Sequence, residues 1–406
     1  MSGTTGETVR AVNGLTARWA GSCARGTAFS APGVWPLLAF LADGAAGPAR
    51  AELARTLGVP AERAAFAARE LLAVLDTMSG LDSALGLWTD RALELREQWR
   101  AGLPAQAHGV LTTDLAASQE ALDAWAVKRT GGLIERMPVT LTPDARMVLA
   151  SALALRTDWP HPFTQLPLRP RGGPWQGRTL LGLHRRGVRP DRVGVTSTPE
   201  GFVTSLKVPG DNGIDVHLLL GEERMSPGQV LRAGVGVLER ALAVTGGGRL
   251  PYGQAGPGLS VERVPSVTPE PPALDVTTVA YRVAADHDLT VLHQLFGLTS
   301  ALDTRQGHFP GISGSPLALG AAGQSAVAEF GALGFRAAAA TALMPVAGSG
   351  PPRFRHETTV VRALFDRPFG FLAAHRETRL VLVAGWVAEP SPYPAPDFRG
   401  VPAPGC

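Results

Sequence analysis

Cysteine is scarce in this chain, with Cys23 and Cys406 the two copies in 406 residues. They match no metal-ligand or redox spacing, and Cys406 closes a proline-rich end. A structural disulfide is therefore not expected, and the fold needs no oxidising compartment. Lysine is scarcer than arginine by a wide margin: Lys128 and Lys207 are the two lysines among 38 basic residues. Arginine, alanine, glycine and proline are abundant together, as a GC-rich genome encodes. The formal net charge is +3, so no strongly basic domain points to nucleic acid. No apolar run approaches the roughly 20 residues that span a bilayer. The opening "MSGTTGETVRAVNGLTARWAG" lacks the apolar centre of a secretory signal, because Glu7, Arg10 and Arg18 interrupt it. A soluble, cytoplasmic monomer is expected, or an extracellular one if a leader is trimmed or export is unconventional.

The usual catalytic constellations are missing too. No Gly-x-Gly-x-x-Gly follows a strand, and there is neither a Walker loop nor a His-Glu-x-x-His pair. "GISGS" (311–315) lacks the final glycine and the following helix of a nucleophile elbow. The nine histidines are scattered, and His184 and His217 read as surface or strand residues. Accordingly no enzymatic activity, no metal and no cofactor are expected. Trp125, Trp159 and Trp386 sit in apolar segments and read as core. "LRPRGGPWQGRTLLGLHRRGVRPDR" (168–192) holds seven arginines and one aspartate. It could meet a polyanion, but without interleaved aromatics it reads as a solvated loop.

What is present is a large apolar fraction, 45% hydrophobic against 18% charged, enough for one big core. The first 140 residues read as helical. "AARELLAVLDTM" puts Leu71, Val74, Leu75 and Met78 on one face, and "GPARAELARTLGVP" has proline at its start and Gly58 at its end. "SQEALDAWAVKRTGG" groups Leu122, Trp125 and Ala126 before a glycine stop. From about residue 145 the period changes. "MVLASALAL" (147–155) is an uncharged run, as expected of a strand buried on both faces. "FVTSLKVPGDNGIDVHLLL" reads as two strands around Asp211-Asn212-Gly213. "SPLALGAAGQSAVAEF" (315–330) is strand-like, "DLTVLHQLFGL" (288–298) helical, and "RPFGFLAAH" with "RLVLVAGWV" a terminal pair of strands. Helices first and strands later argue an α+β fold with mixed or antiparallel sheets in a single domain. Beyond Pro390 the proline-rich 391–406 segment reads as a flexible tail.

Six segments in order resemble the serpin superfamily, over about residues 10–390. "FSAPGVWPLLAFLADGAAGPARAEL" is similar to its early F-S-P-x-S-I … G-A-x-G-x-T block. "LDAWAVKRTGGLIERM" resembles I-N-x-W-V-x-x-x-T-x-G-x-I, with Leu122, Trp125, Thr130, Gly132 and Ile134 in place. "MVLASALALRTDWPHPF" resembles the strand ending in K-x-x-W-x-x-P-F, "GHFPGIS" resembles D-F-S-G-I-S, and "AVAEFGALGFRAAAATA" resembles V-x-V-x-E-x-G-T-E-A-A-A-A-T-A. "FDRPFGFLAAHRETRLVLVAGWVAEP" resembles the C-terminal D-R-P-F … G-x-V-x-x-P, with Asp366 to Phe369, Gly385 and Pro390 matching.

The resemblance implies a metastable fold with an exposed reactive-centre loop. It also implies a suicide inhibitor of serine proteases that inserts its cut loop into the main sheet and traps the enzyme covalently. It places the hinge on Gly334, Phe335, Arg336, Ala337, Ala338, Ala339, Ala340 and Thr341. The reactive bond falls on Gly348–Ser349, with Arg353 and Arg355 as alternative bait. Val346, Ala347 and Gly348 suit an elastase- or subtilisin-like target. Phe335 departs from the small hydroxyl residue usual there, and a ring forced into such a site costs on the order of 1–3 kcal/mol. In the sheet-opening polar cluster, usually a serine pair, an asparagine and a histidine, Ser30 matches, while Gly33, Ser151 and Gln324 occupy the other positions. Gln324 and Ser151 are able to hydrogen-bond each other. Two expectations stay open: an inhibitor, or a non-inhibitory binding protein that does not insert its loop.

Overall fold

Met147–Leu155, the uncharged nine-residue run, is a strand with every residue buried, at the middle of a five-stranded sheet. The structure, a computed structural model, describes residues 3–24, 26–105, 107–335 and 355–394. The helices are α1 (Gly3–Ala20), α2 (Ala31–Gly44), α3 (Gly47–Leu57), α4 (Ala61–Asp76), α5 (Glu97–Ala101), α6 (Leu115–Thr130), α7 (Pro227–Leu238) and α8 (His293–Phe296). The strands run β1 (Thr27–Phe29), β2 (Leu81–Asp90), β3 (His108–Leu111), β4 (Met147–Leu155), β5 (Thr157–Asp158), β6 (Thr164–Leu168) and β7 (Leu180–Gly187). They continue with β8 (Val193–Thr198), β9 (Gly201–Pro209), β10 (Ile214–Gly221), β11 (Thr245–Gly246), β12 (Gly253–Gly256), β13 (Leu259–Ser266) and β14 (Ala273–Val279). The last are β15 (Tyr281–Asp288), β16 (Ala321–Phe330), β17 (Gly334–Phe335), β18 (His356–Leu364), β19 (Phe369–His375) and β20 (Val381–Val387).

Three sheets share the core. The main sheet has the order β15-β16-β4-β2-β3, a second has β1-β20-β19-β10-β9-β8-β11, and a third has β12-β13-β18-β14-β7-β6. Parallel and antiparallel pairs mix in the main sheet: β4 is antiparallel to β2 but parallel to β16. Helix α2 is apolar almost all round and nearly every residue is buried, as a helix threaded between layers must be. Ser30 caps it by accepting a hydrogen bond from the Gly33 amide. The expected stops hold for α3 and α6, where Gly58 and Gly131 adopt left-handed φ of 69° and 59°. Asp211-Asn212-Gly213 does join two antiparallel strands, β9 and β10.

The structure departs from the periodicity reading in several places. The first 140 residues are not wholly helical. "LDSALGLWTD" is β2, paired with β4 from Leu81↔Leu155 to Thr89↔Met147, and its glycine and small residues hid a strand buried by long-range pairing. The 288–298 patch is helical at His293–Phe296 alone, because Gly297, in the left-handed region at φ 66°, closes the turn. Of the 315–330 stretch, Ala321–Phe330 is strand. The arginine-rich stretch contains β7, whose Leu180 and Leu183 are buried. The segment beyond Pro390 begins tied down: Leu181 and Ser391 are bonded through the Leu181 amide, and the Tyr393 amide donates to Thr179 O. Residues 395–406 lie outside the described part.

Burial pushes the Cys23 thiol up to about 12, which keeps it protonated and unreactive near neutral pH.

Candidate functional site

Two constellations the sequence singled out lie along one seam, where β16 meets β4. Six positions pair in parallel, from Ala321↔Val148 to Ala326↔Leu153. Beyond them the strands diverge: β16 runs on to Phe330 while the other chain continues as β5.

The loop base fills the upper end of this gap. After Phe330 the chain reverses in a turn closed by the Gly331 amide donating to Gly334 O at 2.9 Å. Trp159 fastens the turn twice, its amide to Leu333 O at 2.8 Å and its indole N–H to Gly331 O at 2.9 Å. The Phe163 amide adds a bond to Ala332 O at 2.8 Å. The reversed chain is β17, antiparallel to β5 with Gly334↔Asp158 and Phe335↔Thr157. A Cβ at Gly334 would run into the Thr157 carbonyl, so glycine is required by this close approach. Phe335 is fully buried, its ring centroid 6.0 Å from that of Phe371.

On its far side β5 is held by the β9–β10 turn. The Asp211 amide donates to Asp158 O at 3.0 Å, and the Asn212 side chain donates to Arg156 O at 2.8 Å and Ser79 O at 2.7 Å. The turn residues were legible as a turn. Their second task, clamping β5, depends on a contact distant in sequence and had no local signal.

Lower on the seam lies the polar cluster. Gln324 spans it: its Oε1 accepts from the Ser30 amide at 2.7 Å. Its Nε2 donates to Ser30 O at 2.8 Å and to Ser151 Oγ at 3.2 Å. Ser30, Ser151 and Gln324 are thus brought together, all buried. Gly33 makes the room, since a Cβ there would sit 2.5 Å from Ser151 Oγ and 3.0 Å from Gln324 Nε2. A longer amide at 324 and a missing side chain at 33 are complementary in volume.

Sequence reasoning missed His287. It faces Gln324 across the β15–β16 ladder, and its Nε2–H donates to Ala28 O at 2.8 Å. Trp19 meets its ring edge-on at 5.1 Å between centroids. Burial lowers its pKa below the ordinary histidine value, with the Ala28 carbonyl and Asp286 opposing.

Trp159 and Trp386 are buried as expected, while Trp125 is half-buried. His184 is a strand residue bonded to Asp275 at 2.8 Å, and His217 lies on β10. Arg355 is exposed, and its amide donates to Ser266 O at 3.1 Å, continuing the β13–β18 ladder. The remaining hinge positions Arg336–Thr341, the Gly348–Ser349 bond and Arg353 lie outside the described residues. Among the described residues no group of three or more His, Cys, Asp or Glu is placed to hold a metal ion. No described helix is long and apolar enough to cross a membrane.

A family model described as "Serpin (serine protease inhibitor)" matches residues 17–171 and 276–390. Two rice proteins (Oryza sativa subsp. japonica) are similar over part of the chain. The putative serpin-Z8 is 29% identical over 162 residues, 36% of this chain and 38% of that protein. Serpin-ZXA is 30% identical over 159 residues, 36% of this chain and 40% of that protein. The matched region thus spans well under half the length of these relatives. Among solved structures, human thyroxine-binding globulin complexed with thyroxine superposes with a TM-score of 0.70 at 17% identity, covering 96% of this chain and 100% of that one. The thermophilic serpin Tengpin in its native state superposes with a TM-score of 0.73 at 13% identity, covering 96% and 95%. At such identities the likeness concerns the fold.

Two outcomes follow from the cluster. Gln324→Ala strands the Ser30 amide and carbonyl in the core, so urea unfolding should register a loss of about 2–4 kcal/mol. A loss below about 1 kcal/mol would mean the bridge is not holding the seam. His287, with its pKa lowered in the folded state, binds fewer protons folded than unfolded. Stability is complete above the ordinary histidine pKa and falls as pH drops below it. The melting temperature should therefore decline from about pH 7 to about pH 5, and His287→Gln should flatten that slope; parallel slopes would refute the assignment.

Proposed function

We propose, from the premise that this chain belongs to the serpin family, that it inhibits a serine protease by loop insertion and covalent trapping. The 336–354 segment is the bait. The protease's serine hydroxyl attacks the carbonyl of Gly348, the Gly348–Ser349 bond breaks, and the Ser349 amine leaves with the proton. Before water can attack the resulting ester, the freed strand enters the seam between β16 and β4. The enzyme is dragged along, and its oxyanion hole and triad are pulled out of register.

One observation carries this reading: β17 already runs antiparallel to β5 at the mouth of the seam. That is the direction an inserted strand would take beside β4, so the loop base is held in an orientation compatible with insertion before any cut. In an inserted strand Ala337, Ala339, Thr341 and Leu343 would fall inward and Arg336, Ala338, Ala340 and Ala342 outward, so Arg336 would stay in water and little bulk would have to cross from Ala337 to Ala342. Phe335 is buried before any cut, so its ring does not have to enter from water at the moment of trapping. Val346, Ala347 and Gly348 favour an elastase- or subtilisin-like target. Arg355 is the weaker alternative bait, because its amide is bonded to Ser266 O and a protease binds its substrate as a free extended strand.

The same buried ring supports a second reading, a binding protein on this scaffold whose loop base is fixed and does not advance. The two separate cleanly. Incubation with elastase or subtilisin should give a gel-stable adduct, and nicked protein should melt far higher than intact protein. Clean cleavage without adduct and with an unchanged melting temperature would favour the binding protein.

Phe335→Ala should remove about 3–5 kcal/mol from the uncut protein in urea unfolding. A change within about 0.5 kcal/mol would place the ring outside the core.

A further inference from the structure

Arginines of the 168–192 stretch wall a cleft of about 650 Å³ between β7, the Pro190–Arg192 turn, β9 and the chain after β19. Its cations are Arg185, Arg189, Arg192, Lys207 and Arg376, against the carboxylates Asp191 and Asp211. Most are matched. Arg189 is paired with Asp191 through two bonds of 3.1 Å. Lys207 and Arg376 share the buried Asp215, at 2.8 and 2.6 Å, so two cations answer one carboxylate. Arg185 and Arg192 have no ion-pair partner among the described residues.

Arg185 is half-buried all the same. Its guanidinium lies 4.3 Å from the Phe163 ring centroid and donates to His161 O at 2.8 Å. Burial, with Arg192 nearby, brings its pKa down to about 10, the mark of a desolvated cation lacking its counter-charge. A second cleft of about 290 Å³ adjoins the first and shares Arg185, Arg189, Arg192 and His161. It differs in character: buried Leu274 and Val276 form its floor and exposed Val188 its lip.

We propose that the paired clefts bind an amphiphilic anion, a small molecule whose phosphate or carboxylate head lies between Arg185 and Arg192 and whose apolar body lies over Leu274 and Val276. The combined space is that of an ordinary ligand site, apolar on one side with a few convergent charges on the other. An anionic head supplies the close ion pair that Arg185 and Arg192, both on the cleft wall, do not make within the described residues, in the planar bidentate geometry arginine favours. Arg185, Arg192 and Lys207 lie in the 172–275 segment, between the two stretches that the family model matches. The inference does not rest on the inhibitory reading.

The test is calorimetric titration of the full chain with octyl phosphate and with octanoate, and octanol as the neutral control. At least one anion should bind saturably at one site while octanol does not, and the tighter anion identifies the head. Arg192→Gln should weaken binding about tenfold or more, and Arg305→Gln, an exposed arginine elsewhere, should leave it unchanged. Arg185→Gln should match Arg192→Gln; should it disturb folding by uncovering Phe163, Arg192→Gln alone carries the comparison. No saturable binding of either anion, or equal affinity in wild type and Arg192→Gln, overturns the proposal.

Discussion

The parallel pairing of β16 with β4 is the constraint on which the rest of the molecule depends. It covers six positions, Ala321↔Val148 to Ala326↔Leu153, and the residues on it are mostly alanine, glycine and serine. A ladder with such small side chains gains little from cross-strand packing. Its stability comes from behind, where Gln324 ties β16 to the N-terminus of α2 and to Ser151 on β4. One amide side chain therefore joins three elements, β16, β4 and the N-terminus of α2. The seam is closed by polar bonds, which hold in place and release together, rather than by interdigitated bulk.

Above the seam the order of forces is reversed. Trp159, Phe330, Phe163 and Tyr281 gather around the loop base, with ring centroids 5.0, 5.7 and 5.4 Å from Phe330. Here bulk is plentiful and the backbone is fixed to it by the Trp159 indole. Phe335 belongs to this aromatic region rather than to the small-residue track beneath it. From sequence the ring looked like an obstacle on the track. In the structure it is the anchor at its entrance, because β17 turns back against β5 and carries the side chain into the core beside Phe371.

What was legible followed from short-range chemistry. Caps, glycine stops, the uncharged run of β4 and the Asp211-Asn212-Gly213 turn are each written within a few residues. So was the complementarity of Gln324 and Ser151, once the two were aligned on the same seam. What was not legible was set by partners far away in the chain. β2 has little strand propensity and is a strand because β4 lies beside it. His287 is bonded to Ala28 on β1, more than 250 residues earlier, and no local pattern marks it. The β12–β13 hairpin belongs to the same class: glycine-rich and polar in sequence, it lies at the edge of its sheet, where β13 pairs with β18.

That hairpin bears on how the two ends of the loop differ. The near end, at β17, has a ladder of two residue pairs, with the turn before it bonded to Trp159 and Phe163. The far end enters β18, paired with β13 from Leu259↔Ala363 to Ser266↔His356 and with β14 from Ala273↔Val360 to Thr277↔Leu364. An uncut loop could fill the seam only by stripping β18 from both neighbours, which would break two ladders to make two. On the proposed reading, a cut would release the near segment from that cost, and an inserted strand would gain a ladder on each side with nothing given up at β18. On the proposed inhibitory reading, this difference between a short paired segment before the bait and two full ladders after it makes cleavage, rather than thermal fluctuation, the event that would free a strand for the main sheet.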